Sequence, residues 1–172
     1  QAELLNYSID NLVDSLTIGI ILAIGIMFFF LKDPRSPIII ALSIPISVII
    51  TMLIFKLINL SINTISLAGL IMGVGMMVDN AIIVIDNITQ YRERGHKLFE
   101  ACNLGTIEII RPLISSVLTT CAVFIPLIFL GDISGALFYD EAMAVTAGLL
   151  VSLVISITFI PVLYHLILGK WN

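Results

Sequence analysis

The sequence predicts an all-α membrane protein with five transmembrane helices and one cytoplasmic amphipathic surface helix. Hydrophobic residues make up 59% of the 172 positions and charged residues only 12%, and the mean hydropathy is +1.15. These values lie far outside the range of soluble globular domains. The formal charge of −4 includes no basic run, which disfavours nucleic acid as a partner. The lipid bilayer is therefore the expected environment.

Five nearly uncharged runs have the length of about 20 residues that crosses about 30 Å of hydrocarbon. They cover residues 12–31, 36–56, 64–88, 112–130 and 140–168, and together they form a single transmembrane domain over residues 1–172. Proline and charged residues mark the loop at 31–37. In the turn at 60–64, either Asn63 or Thr64 can cap the next helix. The polar residues 1–15 lack the basic start and apolar core of a signal peptide.

The segment between the third and fourth spans has a different character. Charged residues gather in 88–111, while Leu98, Ala101, Cys102 and Ile109 lie near one helical face. This pattern predicts an amphipathic helix on the membrane surface at about 91–108. A solvated connector with scattered apolar residues is an equal alternative. Because proline suits the first turn of a helix, Pro112 is predicted to begin the fourth span.

The basic residues orient the predicted spans. Of the eight Lys and Arg residues, seven lie on one side of the membrane and Lys56 lies alone on the other. The positive-inside rule then places the loops at 31–37 and 88–111 and the C-terminus in the cytoplasm. The N-terminus and the loops at 56–64 and 131–142 face the periplasm or the outside.

The third span carries the candidate functional residue, Asp79, within the stretch GLIMGVGMMVDNAIIVIDN at 69–87. A carboxylate in hydrocarbon costs at least a few kcal/mol and commonly marks an ion or proton pathway. Small and polar residues share its sector of a helical projection: Gly69, Gly73, Gly75, Asn80, Asp86 and Asn87. The spacing of Gly69 and Gly73 favours close helix packing. We therefore predict a carboxylate in a glycine-lined groove; the plainer alternative is a tight helix crossing with an incidental neutral Asp.

The surroundings of Asp79 leave two states of its carboxyl group open. All Lys and Arg residues lie in loops or at span ends, so none shares the depth of Asp79. The carboxyl group is then neutral, or its cation belongs to a part of the protein outside this chain. In both cases Asp79 can gain and lose a proton. Asp86 lies about 10.5 Å further along the helix axis, near the cytoplasmic end, so we expect a secondary role for it and for Asn87.

Several motifs, in this order and spacing, resemble those of the resistance–nodulation–division (RND) exporters, in particular the multidrug efflux branch. They are SINT at 61–64, the stretch at 69–87, RPLISSVLTTCAVFIPL at 111–127, the glycines at 131 and 135, and IPVLY at 160–164. The resemblance covers nearly the whole chain. It implies helices two to six of a twelve-helix protomer, without its periplasmic porter domains and its second half. The full-length family forms homotrimers in the bacterial inner membrane.

The resemblance also implies roles for individual residues. Asp79 would exchange protons while paired with a Lys from the missing second half, and Asn80 would support it through hydrogen bonds. Many multidrug members carry two consecutive Asp residues here, whereas this chain has Asp79 followed by Asn80. The implied activity is drug/proton antiport, which needs no enzyme chemistry, cofactor or bound metal. A metal or lipid exporter remains an alternative within the family, although Met72, Met76 and Met77 are more simply packing residues.

Two other classes of protein are alternatives to an exporter. An intramembrane aspartyl protease needs two carboxylates about 3 Å apart, and Asp79 and Asp86 are separated by roughly three times that distance. A regulatory or lipid-sensing module, resembling the five-helix sterol-sensing domains, is the better alternative, but it needs no titrating carboxylate at mid-membrane. Without the second half, the groove with Asp79 is predicted to accept a second copy of the chain, which would give a homodimer.

Overall fold

The computed structural model describes residues 35–129 and 132–169, together with scattered positions between 7 and 28. The longer ranges contain four helices: α1 (Ser36–Leu57), α2 (Thr64–Glu93), α3 (Leu98–Ile128) and α4 (Asp132–Gly169). Each includes a stretch long and apolar enough to cross a membrane. The described positions between 7 and 28 are also helical; otherwise the predicted first span lies outside the described residues. The all-α membrane class predicted from composition is confirmed.

The start of α2 is set by a side-chain cap. Asn63 Oδ1 accepts hydrogen bonds from the backbone N–H groups of Ile65 and Ser66, both at 2.9 Å. The Ser66 hydroxyl in turn accepts from the Asn63 backbone N–H at 2.9 Å. This reciprocal pair is a capping box, which satisfies N–H groups that the first helical turn leaves free. Of the two predicted caps, Asn63 is the one used.

A carboxylate of α4 accepts hydrogen bonds from the turn before α2. Asp140 Oδ2 accepts hydrogen bonds from the Asn63 amide at 2.6 Å and from the Ser61 hydroxyl at 3.0 Å. The bonds connect the α1–α2 turn to the first part of α4. They hold the start of α2 in place at the end of the bundle opposite the basic residues.

The structure differs from the sequence prediction between the third and fourth spans. The helix α2 continues to Glu93, a tight turn follows with Gly95 at φ +93°, and α3 then runs unbroken through Pro112. The predicted surface helix and fourth span are thus one helix, and Pro112 lies inside it. A proline removes one N–H group and crowds the carbonyl four residues earlier, but neighbouring helices can support such a position. Here α2 packs against the segment before Pro112 and keeps it in line.

The helix α4 occupies the centre of the packing. It contacts α1, α2 and α3, and α2 in turn contacts α1 and α3. Half of the residues in the apolar windows of α2 and α4 are buried, against 11% in α3. The Tyr164 side chain of α4 is fully buried, and its hydroxyl lies 3.1 Å from the Thr89 hydroxyl of α2. The central pair α2 and α4 therefore positions the Asp79 region, while α3 is peripheral.

Candidate functional site

Asp79 lies on a face of α2 that no other described helix covers. The exposed residues of α2 at steps of three or four form a line that we call the open stripe: Met72, Gly75, Asp79, Ile83, Asp86 and Gln90. Such spacing places residues on one side of a helix. A methyl group added at Gly75 would meet no atom within 4 Å. The open stripe therefore carries a carboxylate, Asp79, with a glycine one turn before it, and no described residue packs over either position.

The second acidic residue of the open stripe has a local partner. The Gln90 side-chain amide donates a hydrogen bond to Asp86 Oδ2 at 3.0 Å. Asp79, in contrast, makes no hydrogen bond or ion pair with any residue of the described part of the chain. The two carboxylates thus share a face but not an environment, and Asp79 is the one whose partner would have to come from elsewhere.

Two of the three glycines before Asp79, Gly69 and Gly73, lie against α4 on a different face of the helix. A Cβ atom added at Gly69 would be 2.8 Å from the Glu141 backbone oxygen and 3.0 Å from the Ala144 Cβ atom. At Gly73 the nearest backbone atoms of α4, those of Val145, would be 3.9 Å away. The missing side chain of Gly69 is what allows α4 to approach.

The prediction that the glycines and Asp79 line one groove is therefore wrong. The predicted sector is about 160° wide on a projection at 100° per residue, and it is divided in two. Gly69 and Gly73 face α4 and are buried, whereas Gly75 and Asp79 are exposed. A second copy of the chain cannot use the complete groove for the predicted homodimer, because α4 already occupies half of it.

Asn80 faces the interior of the bundle, away from the open stripe. Its side-chain amide donates a hydrogen bond to the Ser152 hydroxyl of α4 at 3.2 Å, and that hydroxyl donates to the Met77 backbone oxygen at 3.3 Å. Asn80 is 6% exposed and Ser152 only 1%. The two bonds join α2 to α4 one residue after Asp79. They fix the rotation of α2 about its axis and with it the direction in which Asp79 points.

Sequence reasoning missed the part that α4 plays here. Ala144, Gly148 and Ser152 recur at every fourth position and line the side of α4 that meets α2. At Gly148 an added Cβ atom would be 2.8 Å from the Met77 Cε atom. This spacing of small residues in an apolar helix is the same signal that identified Gly69 and Gly73, so it was available in the sequence.

Asn87 connects α2 to α3. Its amide donates to the Gly105 backbone oxygen at 2.7 Å and to the Glu108 carboxylate at 2.9 Å. A Cβ atom at Gly105 would be 2.9 Å from the Ile88 Cα atom, so the two backbones are nearly in contact. The predicted secondary site residue therefore lies at a helix crossing, and Gly105 is a packing residue that the sequence analysis did not single out.

The described residues contain no group of three His, Cys, Asp or Glu side chains that could hold a metal ion. The chemistry offered by the region is that of one unpaired carboxylate on a fixed helix. It can take up and release a proton, or it can pair with a cation supplied from outside the described helices.

The comparisons with known proteins agree with this architecture. The chain matches the AcrB/AcrD/AcrF family over residues 1–171. It is 36% identical over 178 aligned positions to the swarming motility protein SwrC of Bacillus subtilis, an alignment that covers 99% of this chain and 16% of that protein. The crystal structure of a heavy metal efflux pump superposes with a TM-score of 0.79 at 25% identity and covers 96% of this chain and 16% of the pump. The chain therefore spans about a sixth of the length of these relatives, and it belongs to the AcrB/AcrD/AcrF family of RND exporters.

Proposed function

We propose that this chain is the proton-coupling transmembrane part of an efflux transporter, a drug/proton antiporter, with Asp79 as the proton-carrying residue. The observation that carries the proposal is the exposure of Asp79 on the open stripe of a helix whose other faces are packed. A carboxylate at membrane depth is costly, and no residue of the described part of the chain pairs with it. An unpaired carboxylate in such a position is suited to alternate between a protonated and a charged state.

The open stripe supports this proposal because it leaves Asp79 accessible to a partner from another part of the protein. A helix from the second half of the full-length protein would lie along it, with a cationic side chain at the level of Asp79. The absence of a side chain at Gly75 leaves room for a close approach at the turn before. The chain covers only 16% of the length of its relatives, which leaves ample sequence for that helix and for the porter domains. The proposal also places the full-length protein in the bacterial inner membrane as a homotrimer. The N-terminus of this chain then faces the periplasm.

Asn80 and the glycines support the site without exchanging protons. The Asn80 amide is engaged with Ser152, and Gly69 and Gly73 allow α4 to pack closely enough to keep that bond. This arrangement gives the chain one titrating carboxylate where many multidrug members have two adjacent Asp residues. Asp86 and Asn87 are assigned a secondary role near the basic end of the bundle.

The test is a matched pair of substitutions in the full-length protein. Asp79→Asn removes the titrating proton and nearly keeps the shape of the side chain, so export and substrate-driven proton movement in proteoliposomes fall to background. Asp86→Asn, on the same stripe, keeps most of both activities. An Asp79→Asn protein that exports and moves protons like the wild type would refute the role of Asp79.

A metal ion is the second candidate for the exported substrate. The observation in its favour is the similarity to a heavy metal efflux pump. The methionines of α2 could be soft ligands for an ion such as Cu(I), but they point in different directions: Met72 is exposed, Met76 is half-buried and Met77 is buried against Gly148. Cells that gain tolerance to Cu(I) but not to organic cations from the full-length protein would favour the metal.

A further inference from the structure

Asp140 of α4 is an acidic residue outside the Asp79 region. It lies at the end of the bundle opposite the basic residues, where its Oδ2 atom accepts hydrogen bonds from the Asn63 amide at 2.6 Å and the Ser61 hydroxyl at 3.0 Å. Asp140 makes no ion pair within the described part of the chain. The partners of this carboxylate are therefore neutral donors, and both belong to the turn that precedes α2.

Asn63 binds α2 and α4 at the same time. Its Oδ1 atom accepts from the Ile65 and Ser66 backbone N–H groups and so begins α2, while its amide nitrogen donates to Asp140. Because the helix cap already uses the amide oxygen, residue 140 has to supply an acceptor. The N-terminal end of a helix also favours a neighbouring negative charge. A carboxylate of α4 thus recognises the first turn of α2 by hydrogen-bond direction and by charge.

The residue after Asp140 makes the next contact between the two helices. A Cβ atom at Gly69 would lie 2.8 Å from the Glu141 backbone oxygen, so the helices touch there without a side chain between them. Such a contact limits how closely the helices approach, but it gives little resistance to sliding of one helix along the other. Hydrogen bonds resist sliding because they tolerate only a narrow range of length and angle. The bonds to Asp140 therefore fix the position of α2 along α4 at this end.

A shift at the start of α2 would reach Asp79 because the helix is unbroken. It contains no proline, whereas α1, α3 and α4 each contain at least one, and sharp kinks occur mainly at proline. The link beside Asp79 is the weaker one: the Asn80–Ser152 bond joins neutral groups at 3.2 Å, whereas the bond to Asp140 is charge-assisted and measures 2.6 Å. The stronger bond thus sets the register in which Asn80 meets Ser152 and Asp79 faces the open stripe.

We propose that Asp140 is a positioning residue for the proton carrier. By binding Asn63 it keeps α2 in register with α4, and this register determines where along the membrane depth Asp79 meets its partner. Asp140 acts through α2 and not by direct contact, since Asp79 lies about 24 Å from Asn63 along the helix axis. The effect on transport rests on the proposed function of Asp79, whereas the contact between Asp140 and Asn63 does not.

Exchanging the two side chains in the full-length protein tests this role. Asn63→Asp retains the helix cap, because Asp and Asn cap equally well, but it removes the donor and places a second carboxylate against Asp140. We expect export and substrate-driven proton movement in proteoliposomes, per folded protein, to fall about tenfold, the factor for one lost hydrogen bond to a charged group. Adding Asp140→Asn restores a donor and an acceptor with their roles reversed, so most of both activities returns.

Two single substitutions are matched controls. Asp140→Asn alone keeps most of both activities, because its amide oxygen still accepts from Asn63. Glu141→Gln removes the neighbouring charge without changing the contact and leaves both activities unchanged. An Asn63→Asp protein as active as the wild type would overturn the proposal, and so would a double variant no more active than Asn63→Asp.

Unfolding of the same variants in SDS keeps the test decisive when a variant is poorly folded. The double variant should unfold at a higher SDS fraction than Asn63→Asp, because the effects of substitutions at residues in contact are not additive. Strict additivity would show that the two side chains do not interact, which would overturn the proposal as well. Asp79→Asn is measured in parallel. If that protein exports like the wild type, the proposed function fails, while the exchange of Asn63 and Asp140 still reports on their contact.

Discussion

Replacing glycine by alanine on two different faces of α2 tests whether the helix is oriented as described. At Gly69 the new methyl group would lie 2.8 Å from a backbone oxygen and 3.0 Å from the Ala144 Cβ atom, so no side-chain rotation can relieve the contact. At Gly75 the same methyl group meets no atom within 4 Å. The two substitutions are chemically identical and lie six positions apart on one helix.

The expected difference in the free energy of unfolding between the two variants follows from the surroundings of each glycine. Alanine is favoured over glycine inside a helix by about 1 kcal/mol, and this gain is common to both variants. Overpacking against α4 costs about 1–3 kcal/mol and applies only to Gly69→Ala. The free energy of unfolding of Gly69→Ala should therefore be about 1–3 kcal/mol lower than that of Gly75→Ala.

The assay is reversible unfolding of the 172-residue chain in mixed micelles, with SDS as the denaturant and helical circular dichroism as the signal. Both variants are compared with the wild type at the same detergent concentration. If Gly69→Ala and Gly75→Ala unfold at the same SDS fraction, α4 does not pack against Gly69. A Gly75→Ala chain less stable than Gly69→Ala would mean that the open stripe is the packed side.

Two further predictions address the α2–α4 contact and the orientation in the membrane. Ser152→Ala removes the hydroxyl that joins Asn80 of α2 to α4, so the free energy of unfolding falls by about 0.6–1.7 kcal/mol, the range for interhelical polar contacts. A Thr119→Ala control, whose hydroxyl bonds only its own helix, changes it far less. A cysteine at Gly95 reacts with membrane-impermeant reagents only from the cytoplasm and one at Ser61 only from outside, in a background without the two native cysteines. The reverse pattern would refute the assignment from basic residues.

The course of the helices could be predicted largely from the sequence. Apolar runs of spanning length predict the positions of the four described helices because hydrocarbon thickness dictates that length. Asn63 was a predictable cap, since its side chain can satisfy N–H groups of the next turn. The prediction that a helix begins at Pro112 was wrong. Proline suits the first turn of a helix, but the sequence did not show that α2 packs against the residues before Pro112 and allows α3 to continue through it. Tertiary packing at Gly105 allows the helix to continue, and that packing involves residues far apart in the sequence.

The direction of Asp79 could not be predicted in the same way. A helical projection shows which residues share a side but not which neighbour covers that side. Gly69 and Gly75 look equivalent on α2 alone, and only the small residues of α4 distinguish them. The sequence does contain small residues in α4, such as Gly148 and Ser152. They indicate which side of α2 is packed only when α4 is known to lie against α2.

The adjacency of Asp79 and Asn80 restricts how the carboxylate can move. Successive residues of a helix point about 100° apart, so the same backbone that aims Asn80 at Ser152 aims Asp79 away from the bundle. Rotating α2 enough to bury Asp79 would break the Asn80–Ser152 hydrogen bond and push Gly69 out of its contact with Glu141. A side chain exposed in this way changes its surroundings most readily when a partner moves along the open stripe. The fixed side of α2 is therefore as much a part of the site as the exposed carboxylate.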